Sequence, residues 1–107
     1  MNRIRKESIE KIIKENKILI FIKGSKERPK CGFSAAAINI LNKFNVEYKV
    51  INVLNNKNIY QDIKIYSQWP TIPQIYINHE FIGGVDLLKK LYINNQLHEM
   101  LEKTLSN

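Results

Sequence analysis

Apolar and polar positions form blocks along the chain that predict helices and strands in turn. Residues 3–16 carry isoleucines on one helical face and charges elsewhere, which is typical of an amphipathic helix. Residues 17–23 hold a continuous apolar run between two lysines, which predicts a central strand buried on both faces. A polar loop follows over residues 24–30, and residues 32–44 return to helical spacing.

The second half continues with shorter elements. Alternating apolar residues from 46 to 53 suggest a strand, and residues 57–67 suggest a short helix. Residues 75–77 and 81–82 flank a polar turn and predict a hairpin. Residues 86–105 are expected to be helical, in one piece or in two pieces broken near Asn94-Asn95. The order αβαβαββα(α) predicts a single α/β domain over residues 1–107, with one parallel strand pair and an antiparallel hairpin pair.

Composition narrows the class of protein. The chain has 107 residues, of which 44% are hydrophobic and 25% charged, as in ordinary soluble domains. A single cysteine excludes a disulfide scaffold and fits a reducing compartment. We find no apolar run long enough for a membrane span, and the basic start lacks a signal-peptide core, so we expect no membrane association. The expected location is cytoplasmic, or an organelle if a longer precursor exists.

The positive charge is concentrated at the start of the chain. The formal net charge is +7, and residues 1–30 hold ten Lys or Arg against four Glu. A polyanion, a small anion near the thiol, or a merely solvated lysine-rich surface would each explain this. A basic reading helix and aromatics on a sheet face are both lacking, so we do not expect nucleic-acid binding.

The candidate chemistry centres on Cys31-Gly32-Phe33-Ser34. Cys31 falls where a helix is predicted to begin, and the helix dipole and nearby lysines favour its thiolate, which is both a nucleophile and a metal ligand. Ser34 takes the place of the second cysteine of a C-x-x-C redox motif, so the chain cannot close a disulfide with itself. Ser34 is not expected to bind metal, so its replacement by alanine should matter little for metal binding.

Three further motifs accompany this one, namely Lys23-Gly24-Ser25, Trp69-Pro70-Thr71-Ile72-Pro73-Gln74 and Gly83-Gly84-Val85-Asp86. In this order and spacing, the set closely resembles the monothiol glutaredoxins of the CGFS class, over roughly residues 8–103. The resemblance implies a thioredoxin-like (glutaredoxin) fold with a four-stranded mixed sheet flanked by helices. It also implies glutathione binding and a [2Fe-2S] cluster shared by two subunits, each providing Cys31. The implied role is cluster transfer to iron–sulfur acceptor proteins, with a BolA-like protein as a further partner.

The resemblance also assigns glutathione contacts. Lys23 pairs with the glycyl carboxylate, and the cis-proline segment at Thr71 and Ile72 presents backbone to the cysteinyl part. The backbone at Val85 and the carboxylate of Asp86 hold the γ-glutamyl end. Each assignment has a plainer alternative: Lys23 is a solvated strand-end lysine, Pro73 is a trans turn residue, and Asp86 is a helix-start residue favoured by the dipole.

The chain departs from the pattern at several positions. Val85 stands where many members have a second cysteine, and Tyr60 stands where many have an arginine that holds the glycyl carboxylate. Lys64, one turn later, is a candidate substitute. Asn78-His79 replaces a common Asn-Gly turn, so this turn is expected to differ.

The remaining conspicuous side chains are two aromatic residues and the two histidines. Phe33 either lines the cluster site or packs under the thiol helix, and Trp69 is expected to pack beside the site. His79 and His98 are expected at the surface rather than as metal ligands.

Two other functions compete with cluster transfer. A glutathione-dependent thiol–disulfide oxidoreductase would use Cys31 as the nucleophile and glutathione as the resolving thiol. An interaction module would recruit partners through the basic third of the chain.

Overall fold

The computed structural model describes residues 1–106 and contains five helices and four strands in that part of the chain. The helices are α1 (Arg3–Glu15), α2 (Gly32–Leu41), α3 (Lys57–Ser67), α4 (Val85–Ile93) and α5 (Gln96–Leu105); the strands are β1 (Ile18–Ile22), β2 (Lys49–Asn52), β3 (Gln74–Ile77) and β4 (Glu80–Gly83). A 3₁₀ turn at Val53–Asn55 links β2 to α3. None of the helices in residues 1–106 has the length and apolar character that a membrane crossing requires.

The four strands form one mixed sheet in the order β2-β1-β3-β4. β1 runs parallel to β2 and antiparallel to β3, and β3 pairs antiparallel with β4. The predicted parallel pair and hairpin are therefore confirmed. The sheet places the ends of β1 and β3 next to each other, with Phe21 opposite Gln74.

β1 is buried on both sides of the sheet, as its continuous apolar run predicts. Ile18, Ile20 and Ile22 face a core built with α2, α4 and α5. Leu19 and Phe21 face a second core built with α1 and α3. Because successive residues of a strand point to opposite faces, one five-residue run anchors helices on both sides.

An ion pair joins α1 to α3 beside the second core. The Arg5 guanidinium donates from Nε and Nη2 to the carboxylate of Asp62 at 2.8 and 2.7 Å, joining α1 to α3. The Asp62 side chain is 4% exposed, so this two-pronged pairing satisfies a buried charge.

Two elements are shorter in the structure than their apolar patterns predict. The strand prediction was wrong for residues 46–48: pairing with β1 begins at Leu19 opposite Lys49, and in this register residues 46 and 47 lie before the first residue of β1, Ile18. Val53 lies in the 3₁₀ turn. The helix predicted over residues 32–44 ends at Leu41, although Phe44 still packs on the core.

Residues with positive φ lie in the turn between β3 and β4 and in the turn between α4 and α5. The break predicted near Asn94-Asn95 is confirmed, and Asn95 has φ 62° between α4 and α5. Asn78 and His79 have φ 54° and 68°, which is the pattern of a type I′ hairpin turn. The turn conformation therefore persists without glycine.

Candidate functional site

Cys31 is the N-cap of α2, as the sequence predicts, and it is half-buried. The loop before it turns back on itself. Lys30 N–H donates to Lys23 C=O at 2.7 Å, and Gly24 forms an isolated bridge with Pro29. Gly24 has φ +103°, and a Cβ there would lie 2.5 Å from the carbonyl oxygen of Arg28. Only glycine fits this close return, which carries the chain from β1 to the thiol.

Ser34 connects the thiol to the end of β1. Its hydroxyl oxygen accepts from Lys23 N–H at 3.1 Å and lies 3.1 Å from Cys31 Sγ. Ser34 N–H donates to the same sulfur at 3.3 Å. The side chain is fully buried. The Ser34 hydroxyl is therefore part of the thiol's environment, whereas the expectation that Ser34→Ala matters little for the cluster stays a prediction.

These contacts favour the thiolate. Partial burial alone would raise the pKa of Cys31, but the opposing effects prevail and lower it. They are hydrogen bonds from the Ser34 hydroxyl and from the backbone N–H groups of Ser34 and Phe33, followed by the charge of Lys23. The helix start thus acts through specific N–H donors, and the hydroxyl adds to them.

A groove beside the thiol helix gathers most of the predicted site residues. Its volume is about 770 Å³, within the range of small-molecule sites. All five residues assigned to glutathione line it, namely Lys23, Thr71, Ile72, Val85 and Asp86. Phe33 also lines the groove and is 65% exposed, so it borders the site rather than packing under the helix.

The middle of the groove is formed by the segment before β3. The Ile72-Pro73 peptide bond is cis, as the resemblance implies. Within residues 1–106, the backbone N–H and C=O of Ile72 have no hydrogen-bond partner. Buried Gln74 holds this segment in place, because its Nε2 donates to the carbonyls of Trp69 and Thr71 at 3.0 and 3.3 Å. An extended peptide can therefore pair with Ile72 as an added strand.

One end of the groove is the start of α4. Gly84 is the N-cap and supplies no side-chain cap, so the first N–H groups of the helix remain available to a ligand. Asp86 in the first turn is exposed. A carboxylate can bind the N–H groups while an ammonium binds Asp86.

The other end of the groove is formed by Lys23 and Tyr60. The Lys23 ammonium lies 5.7 Å from the centroid of the Tyr60 ring. A hydrogen bond with the Tyr60 hydroxyl and the charge interaction with that group raise the pKa of Lys23. The Lys64 ammonium lies 4.4 Å from the same ring, but Lys64 lines a separate depression with Gln61, Ile65 and Pro70.

Aromatic and histidine side chains fall where the sequence places them. Trp69 lines the groove and packs on Phe81, with ring centroids 5.7 Å apart. His79 and His98 are both exposed; His79 contacts the carbonyl of Ile13, and His98 pairs with Glu102. The motifs contain Ser34 and Gln74, but the sequence did not reveal their hydrogen-bonding roles, because a buried hydroxyl and a buried amide leave no periodic signal.

Comparisons with known proteins agree with this geometry. The sequence model of the glutaredoxin family matches residues 18–82. A probable monothiol glutaredoxin 2 of Rickettsia typhi is 50% identical over 94 residues, covering 88% of this chain and 85% of the relative. The solution structure of reduced poplar apo GrxS14 is similar with a TM-score of 0.81 and 38% identity, covering 95% of this chain and 94% of that one.

A more distant structure supports the fold alone. A buckwheat glutaredoxin–glutathione complex is similar with a TM-score of 0.84 at 17% identity, covering 95% of this chain and 91% of that one. The thioredoxin-like fold predicted from the motifs is thus confirmed. With matching sequence, fold and a single thiol at the start of α2, the chain belongs to the glutaredoxin family, among its monothiol members.

Proposed function

We propose that this protein binds a [2Fe-2S] cluster with glutathione and transfers it to acceptor proteins. The observation that carries the proposal is the placement of one stabilised thiol beside a groove with a cation at one end and a helix start with a carboxylate at the other. The charges along the groove match those of glutathione, and a cysteine thiolate is a good ligand for iron.

The groove supports glutathione in three places. Lys23 offers an ammonium to the glycyl carboxylate, with a charge-assisted hydrogen bond. The free backbone of Ile72 offers strand-like pairing to the cysteinyl residue. The α4 start offers N–H groups and Asp86 to the γ-glutamyl carboxylate and ammonium. A ligand in this orientation brings its own thiol towards Cys31.

The ligand count supports a shared cluster. Thiolates are the usual ligands of a [2Fe-2S] cluster, and four are needed. This chain has one cysteine, and residues 1–106 contain no group of three or more His, Cys, Asp or Glu side chains placed to hold a metal. Two chains and two glutathiones supply the four thiolates. Cluster binding therefore requires a homodimer, and exchangeable external thiols make release easy.

The exchangeable thiolate ligands also indicate what kind of protein could receive the cluster. An acceptor protein with free cysteines can replace the glutathione thiolates one at a time, since thiolate ligands exchange. A BolA-like protein is a further proposed partner, on the family resemblance. The groove lining includes Lys23 and Lys90 beside exposed Phe33, Trp69 and Leu87, which suits protein contacts as well as a small ligand.

Anaerobic reconstitution with iron, sulfide and glutathione tests the proposal. Visible absorption should show a [2Fe-2S] spectrum, and the coloured species should have the mass of a dimer. Cys31→Ser should abolish the colour, while its far-UV circular dichroism spectrum should remain that of a folded protein. The double variant His79→Ala/His98→Ala is the matched control and should keep the cluster. A colourless monomer with wild-type protein would overturn the proposal.

The half-exposed, stabilised Cys31 thiolate also favours a second candidate, deglutathionylation. The thiolate attacks the glutathione sulfur of a mixed disulfide and releases the target thiolate, which leaves Cys31 glutathionylated. A second glutathione thiolate then attacks that sulfur, yielding oxidised glutathione and free Cys31. Turnover of a glutathionylated peptide by protein that fails to bind a cluster would favour this function.

A further inference from the structure

Gln74 is a fully buried polar side chain that lies behind the groove. It is 0% exposed and is absent from the groove lining, so it does not reach a ligand there. It is the first residue of β3 and lies opposite Phe21 of the buried central strand β1. The sheet therefore fixes the backbone from which this side chain extends, independently of the segment in front of it.

Partners on both sides orient the Gln74 amide. Nε2 donates to the carbonyl oxygens of Trp69 and Thr71 at 3.0 and 3.3 Å, and Oε1 accepts from the Tyr76 hydroxyl at 3.4 Å. The amide nitrogen has two N–H groups, so each carbonyl receives one. An amide turned over would set its oxygen against two carbonyl oxygens. Only one orientation therefore satisfies every partner.

The Thr71 carbonyl and the Ile72 N–H belong to one peptide unit. This unit is trans, since the only cis peptide bond in residues 1–106 joins Ile72 to Pro73. In a trans unit the C=O and N–H bonds point in opposite directions. The bond from Gln74 to the Thr71 carbonyl therefore turns the Ile72 N–H away from the interior and toward the groove, which Thr71 and Ile72 line.

Aromatic packing holds the same segment in the groove wall without fixing the direction of its peptide bonds. The Trp69 ring packs on Phe81 with centroids 5.7 Å apart, and Phe81 packs on Tyr76 at 5.4 Å. Ring contacts constrain the position of a chain, whereas hydrogen bonds constrain the orientation of its polar groups. Loss of the Gln74 amide should therefore leave the segment in place and free the peptide unit before Ile72 to rotate.

We propose that Gln74 is a positioning residue that directs the Ile72 N–H into the groove, where it donates to the carbonyl of the ligand's cysteinyl residue. This inference rests on the proposed glutathione site. The middle of the ligand is then recognised through a buried side chain that does not contact it. Lys23 and Asp86 bind the two ends of the ligand, and their contributions are independent of this amide.

The test compares glutathione with an analogue in which a trans alkene replaces the amide between cysteine and glycine. The analogue keeps the thiol, both carboxylates and the length of the ligand but lacks the carbonyl acceptor. Affinities for both ligands are measured by calorimetry for the wild type, Gln74→Met and Gln74→Asn. Gln74→Met removes the amide, and Gln74→Asn keeps an amide on a side chain one methylene shorter. Gln61→Met, which removes an exposed amide from α3, is the matched control.

The preference for glutathione over the analogue is the decisive quantity. The wild type should prefer glutathione about five- to tenfold, the value of one hydrogen bond. Gln74→Met and Gln74→Asn should bind glutathione more weakly by a similar factor and reduce the preference to within about twofold of none. Gln61→Met should keep both affinities. Lys23→Ala should weaken both ligands by the same factor and keep the preference, because independent contributions add.

Wild-type protein gives a second measurement that needs no variant. Glutathione should slow hydrogen exchange of the Ile72 N–H, and the analogue should not. Equal exchange with the two ligands would overturn the inference, as would a folded Gln74 variant that keeps the wild-type preference. Wild-type protein that binds neither ligand would overturn the proposed function together with the inference, whereas equal binding of both ligands overturns the inference alone.

Discussion

Removing the Ser34 hydroxyl should raise the pKa of Cys31 and weaken the fold at the same time. The hydroxyl lies 3.1 Å from Cys31 Sγ and accepts from Lys23 N–H at 3.1 Å. No other hydrogen bond involves this oxygen within residues 1–106. Ser34→Ala therefore deletes two interactions and adds none.

The two losses have different sizes. A hydrogen bond to a charged group contributes about 1.5–3 kcal/mol. Because Cys31 is half-exposed, water replaces part of this bond, so we expect the pKa of Cys31 to rise by less than the full contribution would give. The Lys23 N–H loses its acceptor, the hydroxyl of the fully buried Ser34, in a hydrogen bond that is partly shielded from water. We expect the free energy of unfolding to fall by about 1–3 kcal/mol.

Alkylation of Cys31 by iodoacetamide over a range of pH measures the first effect, and urea denaturation measures the second. The rate profile of Ser34→Ala should shift to higher pH, with little change in the plateau where the thiol is fully ionised. Ser25→Ala is the matched control, because Ser25 Oγ accepts from Arg28 N–H in the same loop without touching the thiol. A Ser34→Ala profile that coincides with wild type, even in a destabilised protein, would refute thiolate stabilisation by the hydroxyl.

Three further predictions concern the groove, the loop and the pH response. Lys23→Ala and Asp86→Ala should each weaken glutathione binding about tenfold to a hundredfold through loss of a charge-assisted hydrogen bond, measured by calorimetry; unchanged affinity in both would contradict the proposed orientation. Gly24→Ala should lower the free energy of unfolding by at least about 1–3 kcal/mol and disorder the loop before Cys31, because φ is +103° and the new Cβ would meet Arg28 O at 2.5 Å; wild-type stability would show that the loop relaxes freely. The folded-state pKa of Cys31 is lowered, so the unfolded chain binds more protons between that pKa and the free-thiol value of about 8.5. Stability relative to Cys31→Ala should therefore rise with pH across this window and be lost as pH falls through the folded pKa, and equal pH dependence of the two proteins would argue against the shift.

The position of the thiol and its pKa depend on different kinds of information. Cys31 at the start of a helix follows from its neighbours in sequence: an apolar strand, a loop containing Gly24 and Pro29, and an alanine-rich helix. Its lowered pKa depends mainly on hydrogen bonds made by Ser34, and these depend on where the hydroxyl points. The helix start, which the sequence predicts, contributes the N–H donors of Ser34 and Phe33, whereas the predicted effect of nearby lysines is the smallest of those that lower this pKa.

Local patterns determined the order of helices and strands and the two-sided burial of β1. Each depends on the period of apolar residues or on turn chemistry, which short-range rules describe. The break between α4 and α5 and the turn at Asn78 and His79 could be placed for the same reason. The family motifs also identified five of the residues that line the groove.

Only the tertiary structure decided which distant side chains meet. The strand predicted from residue 46 begins at Lys49, where pairing with Leu19 of β1 begins, because a strand requires a paired neighbour. Arg5 pairs with Asp62 across 57 positions, and Lys64 lies over Tyr60 outside the groove instead of entering it. Ser34 and Gln74 are buried polar residues whose roles are set by the partners around them. Periodicity records which face of an element is buried, whereas hydrogen bonds depend on the directions of individual atoms after the elements have packed.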